Sequence, residues 1–359
     1  MVTIGLAVVA IGFVAYVVPV RDRCYDPGPT PAPAAAAAGK HARTPVSRDG
    51  NLCIMHGAGG DVRLSPEECG RLDCEPGLAS TVSHAHLGLL ALFAVVYGLG
   101  TLAWAARWHA LLRLANAPVS VMRVWRITLE ALAGGVVLPS GVGGDALRVA
   151  SLTGMGVPTA TVIATVLLDR AIGLSTMAGM AALLAAAFAP GAIGPAVLVL
   201  GAIPIAVAVG LAVLRTGPMR RAKLLEHRLL VQTAKPVLEY LNDPRAPRAI
   251  LGALAWSVLV SAVQLGTVRG LVMALGVTPE IERWVYTGSA MAFMVGVVPA
   301  LPGGWGTSDA AFVVLLGRAG IPAAAALGVC VLYRVYWYAS SVVGALLFVA
   351  RRNKAAAPK

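Results

Sequence analysis

The chain has 359 residues, 58% of them hydrophobic and only 13% charged, with a mean hydropathy of +0.77 and a formal net charge of +12. Soluble domains average about 25% charged residues, so this composition excludes an ordinary soluble globular protein. The excess of positive charge lies in short segments between apolar runs, which is the positive-inside pattern and gives no basic domain to carry a nucleic acid.

About 20 apolar residues are needed to cross the hydrocarbon core. Six stretches meet that need: 2–20, 84–105, 158–189, 193–214, 249–275 and 322–350. The first has no positively charged n-region and no small-residue cleavage site, so it is expected to be a retained helix and not a signal peptide. Residues 21–83 form a hydrophilic insert with a Pro/Ala-rich linker, "DPGPTPAPAAAAAGKHARTP". Such a linker is flexible to polyproline-like. Four of the five cysteines, Cys24, Cys53, Cys69 and Cys74, lie in this insert. An even number in one loop suggests two disulfides in an oxidising compartment, with three pairings open. Fifteen residues separate Cys53 from Cys69 and four separate Cys69 from Cys74. That spacing does not make a paired CxxC metal site, so no metal or cofactor is expected.

The basic segment 106–127, with Arg107, Arg113, Arg123 and Arg126, is read as cytoplasmic, as are 215–248 and the tail 351–359 with Arg351, Arg352, Lys354 and Lys359. This places both termini inside and the cysteine insert outside. Residues 128–157 then start and finish on the cytoplasmic side, and 285–320 on the other, so both are expected to be re-entrant hairpins. "LPSGVGGDA" at 138–146 and "LPGGWGTSDA" at 301–310 mark the two breaks, with Pro139, Gly141, Gly143 and Gly144 in one and Pro302, Gly303, Gly304 and Gly306 in the other. Asp145 is followed 25 residues later by Arg170 in "LLDRAIG", and Asp309 is followed 25 residues later by Arg334 in "VLYRVYW". The two copies, 1–189 and 193–350, run in opposite senses. The expected fold is an all-α polytopic membrane protein of about six transmembrane helices and two hairpins, arranged as an inverted repeat, a recurrent transporter plan.

Of the 17 acidic residues, only Glu130, Asp145, Asp169 and Asp309 lie within or beside membrane elements. The matching basic residues are Arg148, Arg170, Arg269 and Arg334, with Arg318 nearer an interface. Intramembrane charges cost about 2.5–3.5 kcal/mol or more each, so they are paired or face a wet cavity. Asp145 with Arg148, or Asp169 with Arg170, could be no more than local clamps. The repetition favours Arg148, Arg170, Arg334, Asp145, Asp309 and Asp169 as substrate-binding residues. Gln264, Tyr333, Tyr336 and Trp337 read as packing or interfacial residues.

"VVLPSGVGGDALR", "LLDRAIG" and "ALPGGWGTSDAAF" resemble the motifs of the flippase-like family named for the transmembrane region of lysylphosphatidylglycerol synthase. The resemblance covers roughly 84–350 and implies an inner-membrane protein that moves charged or polyprenyl-type lipids between leaflets. The chain departs from the pattern in having Val136 or Val137 for an Asn, Asp309 for a Glu and Ser308 for the preceding basic residue. The cysteine insert lies outside the pattern. No aminoacyl-transferase segment follows, so lysine transfer is not expected. The leading expectation is therefore lipid translocation, with membrane lipids as partners and no enzymatic activity. An ion-coupled small-solute transporter is the first alternative. An accessory role with envelope-assembly proteins docking on the cysteine insert is the second. An intramembrane aspartyl protease fits poorly, because residues 142–145 read V-G-G-D where G-x-G-D is needed. His84 and His86, at the mouth of the second span, read as interfacial.

Overall fold

The structure is a computed structural model that describes residues 11–20, 23–25, 45–49, 52–57, 60–64, 73–137, 142–188, 201–203, 205–207, 209, 237, 239–296 and 305–356. After a helical segment at 11–17, five short strands follow: β1 Arg23–Tyr25, β2 Pro45–Asp49, β3 Leu52–Gly57, β4 Gly60–Leu64 and β5 Asp73–Glu75. They form one antiparallel sheet in the order β4-β3-β2-β1-β5. This corrects the all-α expectation for the insert. Strands of three to six residues carry too little periodicity to stand out beside a Pro/Ala linker.

The rest is helical: α1 Leu78–Ser83, α2 Leu87–Leu114, α3 Val121–Val137, α4 Val142–Thr153, α5 Thr159–Phe188, α6 Ala246–Ala274, α7 Glu282–Gly296, α8 Thr307–Gly317 and α9 Ala323–Ala356. Four of these, α2, α5, α6 and the Ala323–Arg351 part of α9, are long and apolar enough to cross a membrane. At 1.5 Å per residue, the 28 residues of α2 exceed the thickness of the hydrocarbon core. The protein is an integral multi-pass membrane protein. Residues 2–10 of the expected span 2–20, most of 193–214 and most of 215–248 lie outside the described residues, as do Pro139, Gly141, Pro302, Gly303 and Gly304. The same is true of Cys69 and of the side chains of Cys24, Cys53 and Cys74.

Helices α2 to α5 and α6 to α9 repeat one contact pattern. Helix α3 packs on α4 as α7 does on α8, α4 on α5 as α8 on α9, and α2 on α5 as α6 on α9. Across the halves, α3 packs on α9 as α7 does on α5, and α2 and α6 meet along their lengths. The turns repeat too. Gly156 precedes α5 at φ +87 and Gly320 precedes α9 at φ +78. Each is followed two residues on by a proline, Pro158 and Pro322. The left-handed φ favours glycine, and the proline fixes φ for the helix that follows. Each half also has its own core. Trp108, Leu112, Val124, Ile127, Leu152 and Val166 fill the first, and Leu271, Val285, Phe312, Leu316, Val329 and Tyr336 the second.

Candidate functional site

Helix α2 places Trp104, Arg107 and Trp108 on one face, since positions three and four apart align. Arg107 was expected in a cytoplasmic loop. Instead α2 continues through it to Leu114, and its side chain is only 7% exposed. Its Nε donates to Asp169 Oδ1 at 2.7 Å, and its Nη1 donates to Ser257 Oγ of α6 at 3.3 Å. Asp169 of α5 is shared. Its Oδ2 accepts from Arg148 Nη1 at 3.1 Å, and its side chain is 1% exposed. The Arg148 guanidinium stands 4.8 Å from the ring centroid of Trp108 and 5.6 Å from that of Trp104. Such cation–π contacts partly replace lost hydration.

Asp145 and Arg148, one turn apart on α4, therefore do not pair with each other, nor Asp169 with Arg170. Arg170 reaches Asp145, with Nε to Oδ2 at 3.1 Å and Nη2 to Oδ2 at 3.0 Å. The four residues make two ion pairs across the α4–α5 contact. The Asp169 pair is closed from solvent, while Arg170 and Asp145 remain 44% and 29% exposed.

A cavity of about 240 Å³ opens beside this cluster, with Arg107, Asp169, Arg170 and Gly173 on one side and Gln264 and Phe293 on the other. A Cβ on Gly173 would come within 2.7 Å of Arg107 Nη1, so any larger residue there displaces the guanidinium. Among the described residues the cluster brings three arginines (Arg107, Arg148, Arg170) to two aspartates (Asp145, Asp169), an excess of one positive charge. Two buried donors, Trp104 Nε1 and Arg148 Nε, have no acceptor among the described residues. Unmade hydrogen bonds at buried donors cost about 1–3 kcal/mol each. Of these two donors only Trp104 belongs to the cavity lining.

In the second half Asp309 lies in the first turn of α8, where the helix dipole favours an acid. It accepts from the Gly306 N–H at 2.8 Å, from the Cys330 thiol at 3.0 Å and from Arg334 Nη1 at 2.9 Å. Arg334 also donates to Ser308 Oγ at 2.8 Å, and its guanidinium covers the Trp305 ring at 4.0 Å. Both charged side chains are only 6% exposed. This pair is thus sealed by its own helix terminus, and the shorter aspartate reaches its partner directly. Gly143 and Gly144 sit in the first turn of α4, and Gly306 caps α8 with φ +83.

The remaining charges pair elsewhere. Glu130, 1% exposed, meets Arg126 Nε at 3.2 Å and Arg351 Nη2 at 2.9 Å, joining α3 to the end of α9. Arg269 pairs with Glu282 at the start of α7, and Arg318 lies over Trp284 at 5.7 Å. Tyr333 packs against Phe293 and Tyr97, while Tyr336 donates to the Leu90 carbonyl at 2.7 Å. Trp337 stacks on Tyr338. Sequence reasoning missed Arg107, Trp104 and Trp108. The available signal was that the apolar run continues past Arg107 as "HALLRLA" and that W-x-x-R-W falls on one helical face.

No curated protein matches the chain. The family model of the lysylphosphatidylglycerol synthase TM region matches residues 77–344, which include every helix that builds the cavity and both ion-pair clusters, and the chain belongs to that family.

Proposed function

We propose that this protein moves an anionic lipid, a phospholipid or a polyprenyl-type lipid, between the leaflets of the cytoplasmic membrane. The observation that carries the reading is the excess of buried arginine over aspartate beside a cavity of about 240 Å³. A planar guanidinium fork suits a phosphate better than an ammonium does. The volume is below the roughly 300–1,000 Å³ that encloses a whole drug-sized ligand. It suits a headgroup whose chains stay in the bilayer. Membership in a membrane-domain family is compatible with this lipid-related role.

In this reading α3–α4 and α7–α8 are re-entrant hairpins. Their arms have 17, 12, 15 and 11 residues, each short of the roughly 20 that cross the hydrocarbon core. The two halves are inverted copies, both termini are cytoplasmic and the cysteine insert is extracytoplasmic. The cluster binds and releases, and no bond is broken. Arg170, open to the cavity and held by Asp145, is the residue that meets the headgroup first.

The test is lipid scrambling in liposomes of phosphatidylcholine that carry a trace of fluorescent phosphatidylglycerol. The purified protein accelerates equilibration of the label between leaflets. Arg170→Ala slows it about ten- to a hundred-fold, the equivalent of the roughly 1.5–3 kcal/mol of a charged hydrogen bond. Equal rates for wild type and a folded Arg170→Ala variant would overturn the mechanism. Uptake of a water-soluble anion without lipid movement would reassign the cavity to small solutes.

A further inference from the structure

The cysteine insert begins and ends on a stem. Leu78 N–H donates to the Pro19 carbonyl at 2.9 Å and Ala79 N–H to the Val20 carbonyl at 3.2 Å, so the two ends of the insert are held side by side. Just beyond, β1 pairs antiparallel with β5 in a register that sets Cys24 directly opposite Cys74. Directly opposed residues of an antiparallel pair have Cα atoms about 4.5–5.5 Å apart, inside the range of about 4.4–6.8 Å that a disulfide spans.

The sheet order removes the competing pairings. Cys53 is on β3, and β2 lies between β3 and β1. Neighbouring strands are about 4.8 Å apart, so β1 and β3 are separated by roughly 10 Å and β3 and β5 by roughly 14 Å. Both exceed the limit of about 7 Å for bridging without backbone movement. Of the three ways to join four cysteines in two bridges, one needs Cys24 with Cys53 and another needs Cys53 with Cys74.

We propose that Cys24 and Cys74 are joined by a disulfide that locks the stem of the insert. The bond forms by thiol–disulfide exchange. The Cys24 and Cys74 thiols give two electrons and two protons to a protein disulfide oxidant, which leaves as a dithiol. The bridge closes a loop of about fifty residues onto the membrane body, a size at which cross-linking removes much unfolded-chain entropy. It fixes the sheet beside α1, which packs on α9. The proposal rests on the extracytoplasmic placement of the insert, because cytoplasmic thiols are kept reduced.

Trypsin puts each cysteine of the insert on its own peptide: 24–40, 49–63, 64–71 and 72–107. The full-length protein, purified from membranes with free thiols alkylated at lysis, is digested without reductant and read by mass spectrometry. The expected product is peptide 24–40 linked to 72–107, which separates on reduction. Alkylated Cys24, or Cys24 linked to peptide 49–63 or 64–71, would overturn the assignment. As a second arm, Cys24→Ser should leave Cys74 open to a membrane-impermeant maleimide added from outside, while wild type is not labelled there. Absence of that label in the variant overturns the proposal as well. Neither readout uses lipid movement, so the assignment can fail while the scrambling result stands.

Discussion

The two halves share a scaffold and differ in what they place on it. Positions 164 apart correspond, as Asp145 with Asp309, Arg170 with Arg334, Gly156 with Gly320 and Pro158 with Pro322. On the same offset Asp169 corresponds to Tyr333, Arg148 to Phe312 and Gly173 to Trp337. The first half therefore holds a shared carboxylate between two arginines and leaves room with a glycine. The second half fills the matching positions with rings, and Phe293 packs against both Phe312 and Tyr333 with centroids 5.4 and 5.2 Å away. The cavity lies between the charged residues of the first half and a mostly apolar side made of Val260, Ser261, Gln264, Phe293 and Met294. The matched ion pairs differ as well, open at Asp145–Arg170 and sealed at Asp309–Arg334. The contact pattern is shared, and different residues at a few matching positions make one side of it polar.

The comparison breaks most sharply at Asp169. Asp169→Ala leaves Arg107 and Arg148 facing each other without their carboxylate, and losing one partner of a buried pair costs about 3–5 kcal/mol. Tyr333→Phe, at the matching position, keeps the ring and removes one neutral hydroxyl, at a cost of about 1 kcal/mol or less. Thermal unfolding in detergent should order them that way, and equal shifts would remove the distinction between the halves. Gly173→Val comes next. Its Cβ would sit 2.7 Å from an Arg107 guanidinium already fixed by Asp169 and Ser257. Scrambling should fall at least about ten-fold, by the roughly 1.4 kcal/mol per decade of rate, while Trp337→Phe keeps most of the rate.

Double-mutant cycles sharpen the contrast of the ion pairs. The sealed Asp309–Arg334 pair should show a coupling of about 1.5–3 kcal/mol, as charged hydrogen bonds do, and the open Asp145–Arg170 pair about 0–1 kcal/mol. The smallest effect is expected at a pair outside the spans. Asp243 accepts from Arg245 at 2.8 Å, and those hydrogen bonds hold its carboxyl at about 2. A depressed carboxylate adds stability above its unfolded value of about 3.9 and loses it as pH falls toward its folded value. The melting difference between wild type and Asp243→Asn should thus be small and constant from pH 8 to about 5, then vanish toward about pH 2. A difference that grew on acidification would contradict the sign.

Much of the frame was legible because its signals are local. Apolar length marked α2, α5, α6 and α9, and the Asp-to-Arg spacing of 25 marked the two cross-helix pairs. The Gly-x-Pro turns at 156–158 and 320–322 were an equally readable sign of the repeat. The site was only half legible. Arg107 was lost to the positive-inside rule, because charge near a helix end looks the same whether the chain stops there or continues for seven more residues. Asp145 and Arg148 share a helix face, and only the approach of α5 shows that each pairs across it.

The sequence by itself determined that this chain lives in a membrane, in two related halves, with aspartates and arginines at matched breaks. Hydrophobic length and helix-breaking residues act on their own segment and need no partner to be read. Tertiary structure alone decided which arginine meets which aspartate, that Asp169 is shared, that one pair is sealed and the other open, and that positions 24 and 74 stand opposite each other in the strand register. Those outcomes depend on distances between segments far apart in the chain, which packing sets and composition does not.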